Sequence, residues 1–183
     1  MLRTLLTAIL VSSTPILWAD EDKPKSPAKN SKLSQKASKT VSKEASVTID
    51  GKVINYTVTA AKTVLKNSKG EARASIFHIS YRKKDVKDHS NRPVLFAFNG
   101  GPGSSAVWLH IGALGPKIVP TSEDGTLALK PNIKVIDNPQ SILDVADLVF
   151  IDPVSTGYSS VEKSGRPQEF HGVEGDIESV GDF

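Results

Sequence analysis

The stretch Pro93 to Ala106, PVLFAFNGGPGSSA, constrains this chain more than any other. Its first six residues are apolar on nearly every position, which suits a strand covered on both faces in the middle of an α/β sheet. Directly behind them stand Gly100, Gly101, Pro102 and Gly103. Glycine where regular structure could form costs roughly 0.5–1 kcal/mol relative to alanine, so this cluster marks a place where the backbone itself has a task. Ser104 to Ile111 then has the length of a short helix. Between a buried strand and a helix start, backbone N–H groups point outward near the positive helix end, and such a turn binds negative charge. A phosphate, a carboxylate and the oxyanion that develops during acyl transfer all fit that description.

A phosphate loop ends in Gly-Lys-Ser or Gly-Lys-Thr, whereas Gly103-Ser104-Ser105 has no cation and the nearest downstream lysine is Lys117. The spacing of Gly100, Gly101 and Gly103 also fails the dinucleotide fingerprint. A tight turn without a ligand is the competing reading, and rigid Pro102 among glycines argues against it.

The rest of the chain supplies the setting. Val47 and Ile49, the Asp50-Gly51 turn, and then Ile54, Tyr56 and Val58 on alternate positions predict a hairpin. A turn at Asn67 to Gly70 leads to Phe77, Ile79 and Tyr81, again alternating, so residues 45–81 read as antiparallel strands. The polar run Arg82 to Arg92 is a surface loop. A second apolar run, Asp147 to Ile151, reads as another buried strand. Gly112 to Ser141 is rich in turn residues and has no clear element. The polar stretch 20–44 is rich in Lys, Ser and Pro, cannot bury enough surface to order itself, and reads as a disordered linker. Residues 1–19, with Arg3, an apolar core from Leu5 to Val11 and Ala19, read as a secretory signal peptide, with a retained membrane anchor as the alternative. The formal charge is +3, but the linker holds seven Lys against four acids and Arg3 adds another cation, leaving residues 45–183 at a net −1. That argues against a folded basic face for nucleic acid. With no cysteine, disulfides are excluded and the core alone must hold the domain.

FNGGPGSSA (98–106), VWLHIGALGPK (107–117) and NPQSILDVADLVFIDPVSTGYS (138–159), in that order, resemble the N-terminal part of the serine carboxypeptidases, the S10 peptidases, in their cysteine-poor bacterial form. The resemblance runs from about residue 70 to the end of the sequence. It implies an α/β-hydrolase fold, with antiparallel first strands leading into a mostly parallel sheet. Carried over by position, the N–H of Gly101 is an oxyanion donor, while Asn99 and the N–H of Gly100 hold the free C-terminal carboxylate of a peptide substrate. Tyr158 falls where the family places an aromatic near the substrate pocket. The implied activity is release of C-terminal residues by an exported periplasmic or extracellular enzyme, without a cofactor and without stable membrane contact once the signal is cleaved. Phe98, Ser104 and Ser155 depart from the pattern, standing where members often have Trp, Cys and Gly.

In this fold the nucleophile sits on a G-x-S-x-G elbow, which the sequence lacks. Pro153 to Gly157, PVSTG, imitates its second half only, and Ser104 and Ser105 read as helix caps. No two of His78, His89, His110 and His171 have metal-ligand spacing, and each reads as a structural or surface residue. Val173 to Phe183 reads as the opening of an amphipathic helix, from which an N-terminal, catalytically incomplete piece of a longer enzyme is expected. A prolyl aminopeptidase-like hydrolase and a non-catalytic exported peptide-binding module remain as alternatives.

Overall fold

A computed structural model describes residues 40–99, 103–121 and 134–183. The signal peptide, the linker up to residue 39, and Gly100 and Gly101 lie outside the described residues. Asp50 and Gly51 reverse the chain with φ of +47° and +73°, the two positive angles that a two-residue hairpin turn matched to the strand twist requires. They join β1 (Val41–Ile49) to β2 (Lys52–Lys66), with Ile49 opposite Lys52. The first strand therefore starts at Val41, inside the stretch whose composition suggests a linker that runs on to Glu44. At the next turn the Asn67 side chain accepts from the amides of Lys69 and Glu71, at 2.9 and 3.0 Å, and the chain returns as β3 (Ala72–Lys83).

After the polar loop come β4 (Val94–Ala97) and a helical run from Val107 to Leu114. A small ribbon of β5 (Lys117–Ile118) and β6 (Ile136–Asp137) precedes β7 (Asp147–Ile151), β8 (Ser160–Val161) and the helix α2 (Val173–Gly181). The main sheet has the order β1-β2-β3-β7-β4, with β8 beside β3. Its strands pair antiparallel except β4 with β7, which run parallel.

Strand alternation sends side chains to two faces. Tyr81, Leu148 and Phe150 join Val47, Ile54, Tyr56, Ala97, Ala106 and Leu143 in one buried cluster. Ala74, Ile76 and Ile151 join Leu65, Val154 and Phe170 in the other, with Val180 of α2 and Phe183 packed on it. Both faces of β3 and β7 are therefore covered, as a continuous apolar run in β7 requires. The expectation fails for β4, where Val94 is 50 % and Phe96 55 % exposed while Ala97 is 6 % exposed. β4 is the outermost strand of the described sheet, and among the described residues the face that carries Val94 and Phe96 is only half covered.

The helix also departs from its expected limits of 104 and 111. Its N-cap is Ala106, so Ser104 and Ser105 lie before it and supply no capping bond. Only Val107–Leu109 is α-helical; His110–Leu114 widens into a π turn, which Gly115 closes by donating its amide to the His110 carbonyl at 2.9 Å. A Cβ at residue 115 would lie 2.2 Å from that carbonyl oxygen, so only glycine can end the turn this way. The buried Asn138 side chain donates to the carbonyls of Ala113 (2.7 Å) and Gly115 (2.8 Å), and Ser141 Oγ donates to that of Leu114 (3.0 Å). Together they satisfy the carbonyls that a helix end leaves without intrahelical partners. None of the described helices is long and apolar enough to cross a membrane.

His110 sits at the α-to-π junction, where its Nε2 and Tyr81 Oη share a hydrogen bond of 2.6 Å and its ring lies 4.7 Å from that of Phe150. Burial pushes the imidazole down to about 4, only partly offset by the negative charge of Asp152, while burial raises the Tyr81 phenol. A histidine kept neutral in the fold and protonated in the unfolded chain gives full stability above its unfolded value. That stability drains as pH falls towards the folded value, at up to about 1.4 kcal/mol per pH unit. Between pH 6.5 and 4 the wild type should therefore lose about 3 kcal/mol more than His110→Gln, as measured by denaturant unfolding across that range.

Candidate functional site

Because β4 and β7 run parallel, the chain leaves both at the same edge of the sheet, the edge where open α/β sheets bind ligands. The glycine-rich loop follows β4, and the turn Pro153 to Gly157 follows β7. One side chain holds the two together. Asp152 is 8 % exposed, and its Oδ1 accepts from the amide of Ala106 at 2.9 Å while Oδ2 accepts from the amide of Tyr158 at 3.2 Å. Gly157 has φ +49°, and a Cβ there would lie 1.9 Å from Asp152 Oδ2 and 3.0 Å from Ser105 Cβ. A side chain at 157 and the carboxylate cannot occupy the same space. Ser159 anchors the arrangement to the sheet: its Oγ accepts from the amide of Phe77 at 2.7 Å and donates to the carbonyl of Asp152 at 2.6 Å.

Between these loops and the start of α2 lies a cavity of about 640 Å³. Asn99, Ser104, Ser155, His171 and Asp176 bring polar groups to it, and Val154, Phe170 and Ile177 supply apolar wall. Asn99 Oδ1 is buried and has no hydrogen-bond partner among the described residues. Thus the structure places one expected substrate-binding residue, Asn99, on the cavity. Gly100 and Gly101 fall outside the described residues. Tyr158 is not brought to the cavity: it is 72 % exposed and stands edge-on against Phe77, with ring centres 5.1 Å apart.

Two residues carry more than the sequence discloses. Asp152 is signalled in the sequence only as an Asp-Pro step behind an apolar run, and its partner Ala106 lies 46 positions away. His171, read as a structural or surface residue, reaches Ser155 Oγ with its Nε2 at 2.9 Å. The other histidines stay apart from the cavity. His78 packs its ring on Phe183 at 4.9 Å, and burial lowers its imidazole below the ordinary range. His89, in the polar loop, stands 4.0 Å from Asp147, and His110 turns its half-buried ring from the helix onto Tyr81 and Phe150.

Comparison with known proteins places this geometry in context. The family model described as serine carboxypeptidase matches residues 59–174. The carboxypeptidase Y homolog A of Trichophyton rubrum is 32 % identical over 119 residues, which is 61 % of this chain and 20 % of that protein. Its counterpart in Pyricularia oryzae is 30 % identical over 123 residues, with the same shares. The chain thus spans about a fifth of the length of these curated relatives. Among solved structures, the prohormone-processing carboxypeptidase Kex1 of Saccharomyces cerevisiae superposes with a TM-score of 0.51 at 24 % identity, over 70 % of this chain and 26 % of that one. That likeness bears on the fold: the mixed sheet, antiparallel at first and parallel between β4 and β7, is part of an α/β-hydrolase sheet.

Gly157→Ala tests the Asp152 bridge. The new methyl group displaces the carboxylate from two amides in a buried setting, and alanine also resists a positive φ. We expect a loss of about 3 kcal/mol or more in denaturant unfolding; a change below about 0.5 kcal/mol would show that the bridge is dispensable.

Proposed function

Since the chain belongs to the serine carboxypeptidase family, we propose that it supplies the oxyanion and carboxylate-binding part of a serine-type carboxypeptidase, an exopeptidase that releases C-terminal residues. The observation that carries this reading is Asn99. It follows the carboxyl end of β4, lines the cavity, and has an amide whose Oδ1 is buried without a partner among the described residues. A buried polar group left unpaired by the fold is one that a ligand can satisfy, and leaving it so costs stability.

In this reading the Asn99 side chain and the N–H of Gly100 hold the free carboxylate of the peptide, and the N–H of Gly101 stabilises the oxyanion formed at the scissile carbonyl. The absence of a Cβ at both glycines lets the substrate approach the backbone to hydrogen-bond distance. Preorganised amides aimed at developing charge are worth about 2.7–4 kcal/mol each in transition states of this kind. Tyr158, exposed beside the turn, offers an aromatic surface to the more distant part of the peptide. No elbow serine is present in the sequence, so the chain by itself binds peptides without hydrolysing them. Export follows from the signal-like residues 1–19.

Calorimetry with an N-blocked dipeptide and its C-terminal amide tests the reading. The free acid should bind at least about tenfold more tightly than the amide, and Asn99→Ala should remove most of that difference. Equal binding of acid and amide overturns it. A requirement for a free N-terminal amine would favour an aminopeptidase-like site instead.

A further inference from the structure

Ser155 adopts φ +69°, a left-handed backbone that glycine takes without strain and serine does not. A strained residue at a cavity wall is a sign that its side chain has a task there. The hydroxyl lies 2.9 Å from His171 Nε2, and both residues line the cavity that holds Asn99. A nucleophile elbow is the first arrangement to consider, and the hydrogen bonds argue against it. In an elbow the amide of the residue after the serine is an oxyanion donor. Here the Thr156 amide donates to the Pro153 carbonyl at 3.0 Å, and Thr156 Oγ1 donates to the same oxygen at 2.9 Å. Ser155 therefore acts on His171 rather than on a substrate carbonyl.

When the serine hydroxyl donates to Nε2, the ring proton sits on Nδ1, which is left as a donor. We propose that His171, oriented by Ser155, is a second anchor for the terminal carboxylate of the peptide. It reaches the ligand from the loop that leads into α2, while Asn99 reaches it from the loop after β4. This inference rests on the carboxylate-binding reading above and adds a residue to it. The charged and titratable groups around His171 can be accounted for. Asp176, in the first turn of α2, lines the same cavity and opposes an anion. Glu169, two residues before His171, is held by Arg73 at 3.2 Å and Arg166 at 2.9 Å. Val154 and Phe170 supply a buried apolar wall beside the pair, while Ser155 and His171 themselves are exposed at the cavity, open to a ligand from solvent.

Ser155→Gly separates this role from a structural one, because relief of strain and loss of orientation act on different measurements. Its unfolding midpoint should equal or exceed that of the wild type, while its affinity for the blocked free-acid dipeptide falls about fivefold and its affinity for the amide stays unchanged. His171→Ala should weaken the free acid about tenfold, and Asp176→Asn should tighten it about threefold. If Ser155→Gly and His171→Ala bind the free acid as the wild type does while Asn99→Ala does not, the second anchor is wrong and the carboxylate reading stands. If the wild type does not distinguish acid from amide, both fall. If Ser155→Gly loses stability and affinity together, the serine is structural and the positioning role is overturned.

Discussion

The Asp152 carboxylate is the interaction on which the rest of the site depends. Two parallel strands deliver two loops to one edge of the sheet, but nothing in strand pairing fixes the loops relative to each other. A single buried side chain does so, by accepting the Ala106 amide at the head of the helix with one oxygen and the Tyr158 amide beyond the turn with the other. Hydrogen bonds to a charged acceptor are among the stronger ones available, and removing the acceptor would leave two amides without partners. The glycine at 157 exists to make room for this contact, and Ser159 ties the same turn back to β3.

Around that bridge the molecule divides into satisfied and unsatisfied parts. The helix end over one face of the sheet is completed by Asn138, Ser141 and Gly115, each for an identifiable backbone group. The cavity edge is different. Asn99 keeps a buried oxygen without a partner among the described residues, and Ser155 holds a backbone angle that its side chain disfavours. His78 Nδ1 is likewise buried without a partner among the described residues, but in the packing against Phe183 rather than at the cavity, where Asn99 and Ser155 depart from local rules side by side.

Much of the architecture was legible along the chain. The Asp50-Gly51 hairpin, the Asn67 to Gly70 turn and the alternating strands β1 to β3 follow from residues within a few positions of one another, and so does the helix from Val173. The resemblance carried by three ordered segments also identified the family. Elsewhere the local signal misled. The run in β4 resembles that in β7, yet Phe96 is 55 % exposed and Phe150 is 2 % exposed. Ser104 and Ser105 have cap chemistry, yet the helix begins after them because the Ala106 amide is taken by Asp152.

The order of residues by itself determined the turns, the strand periods and the glycine cluster directly behind β4, because each of these is set by backbone preferences and side chains that are neighbours in the chain. Only the tertiary structure decided that Asp152 joins two loops, that β4 lies at an edge, that the helix widens at His110, and that His171 meets Ser155 beside Asn99. Those facts depend on strand order and on contacts between residues far apart in the chain. Sheet pairing brings such residues together by closing long loops, and no short-range pattern encodes which of them will meet.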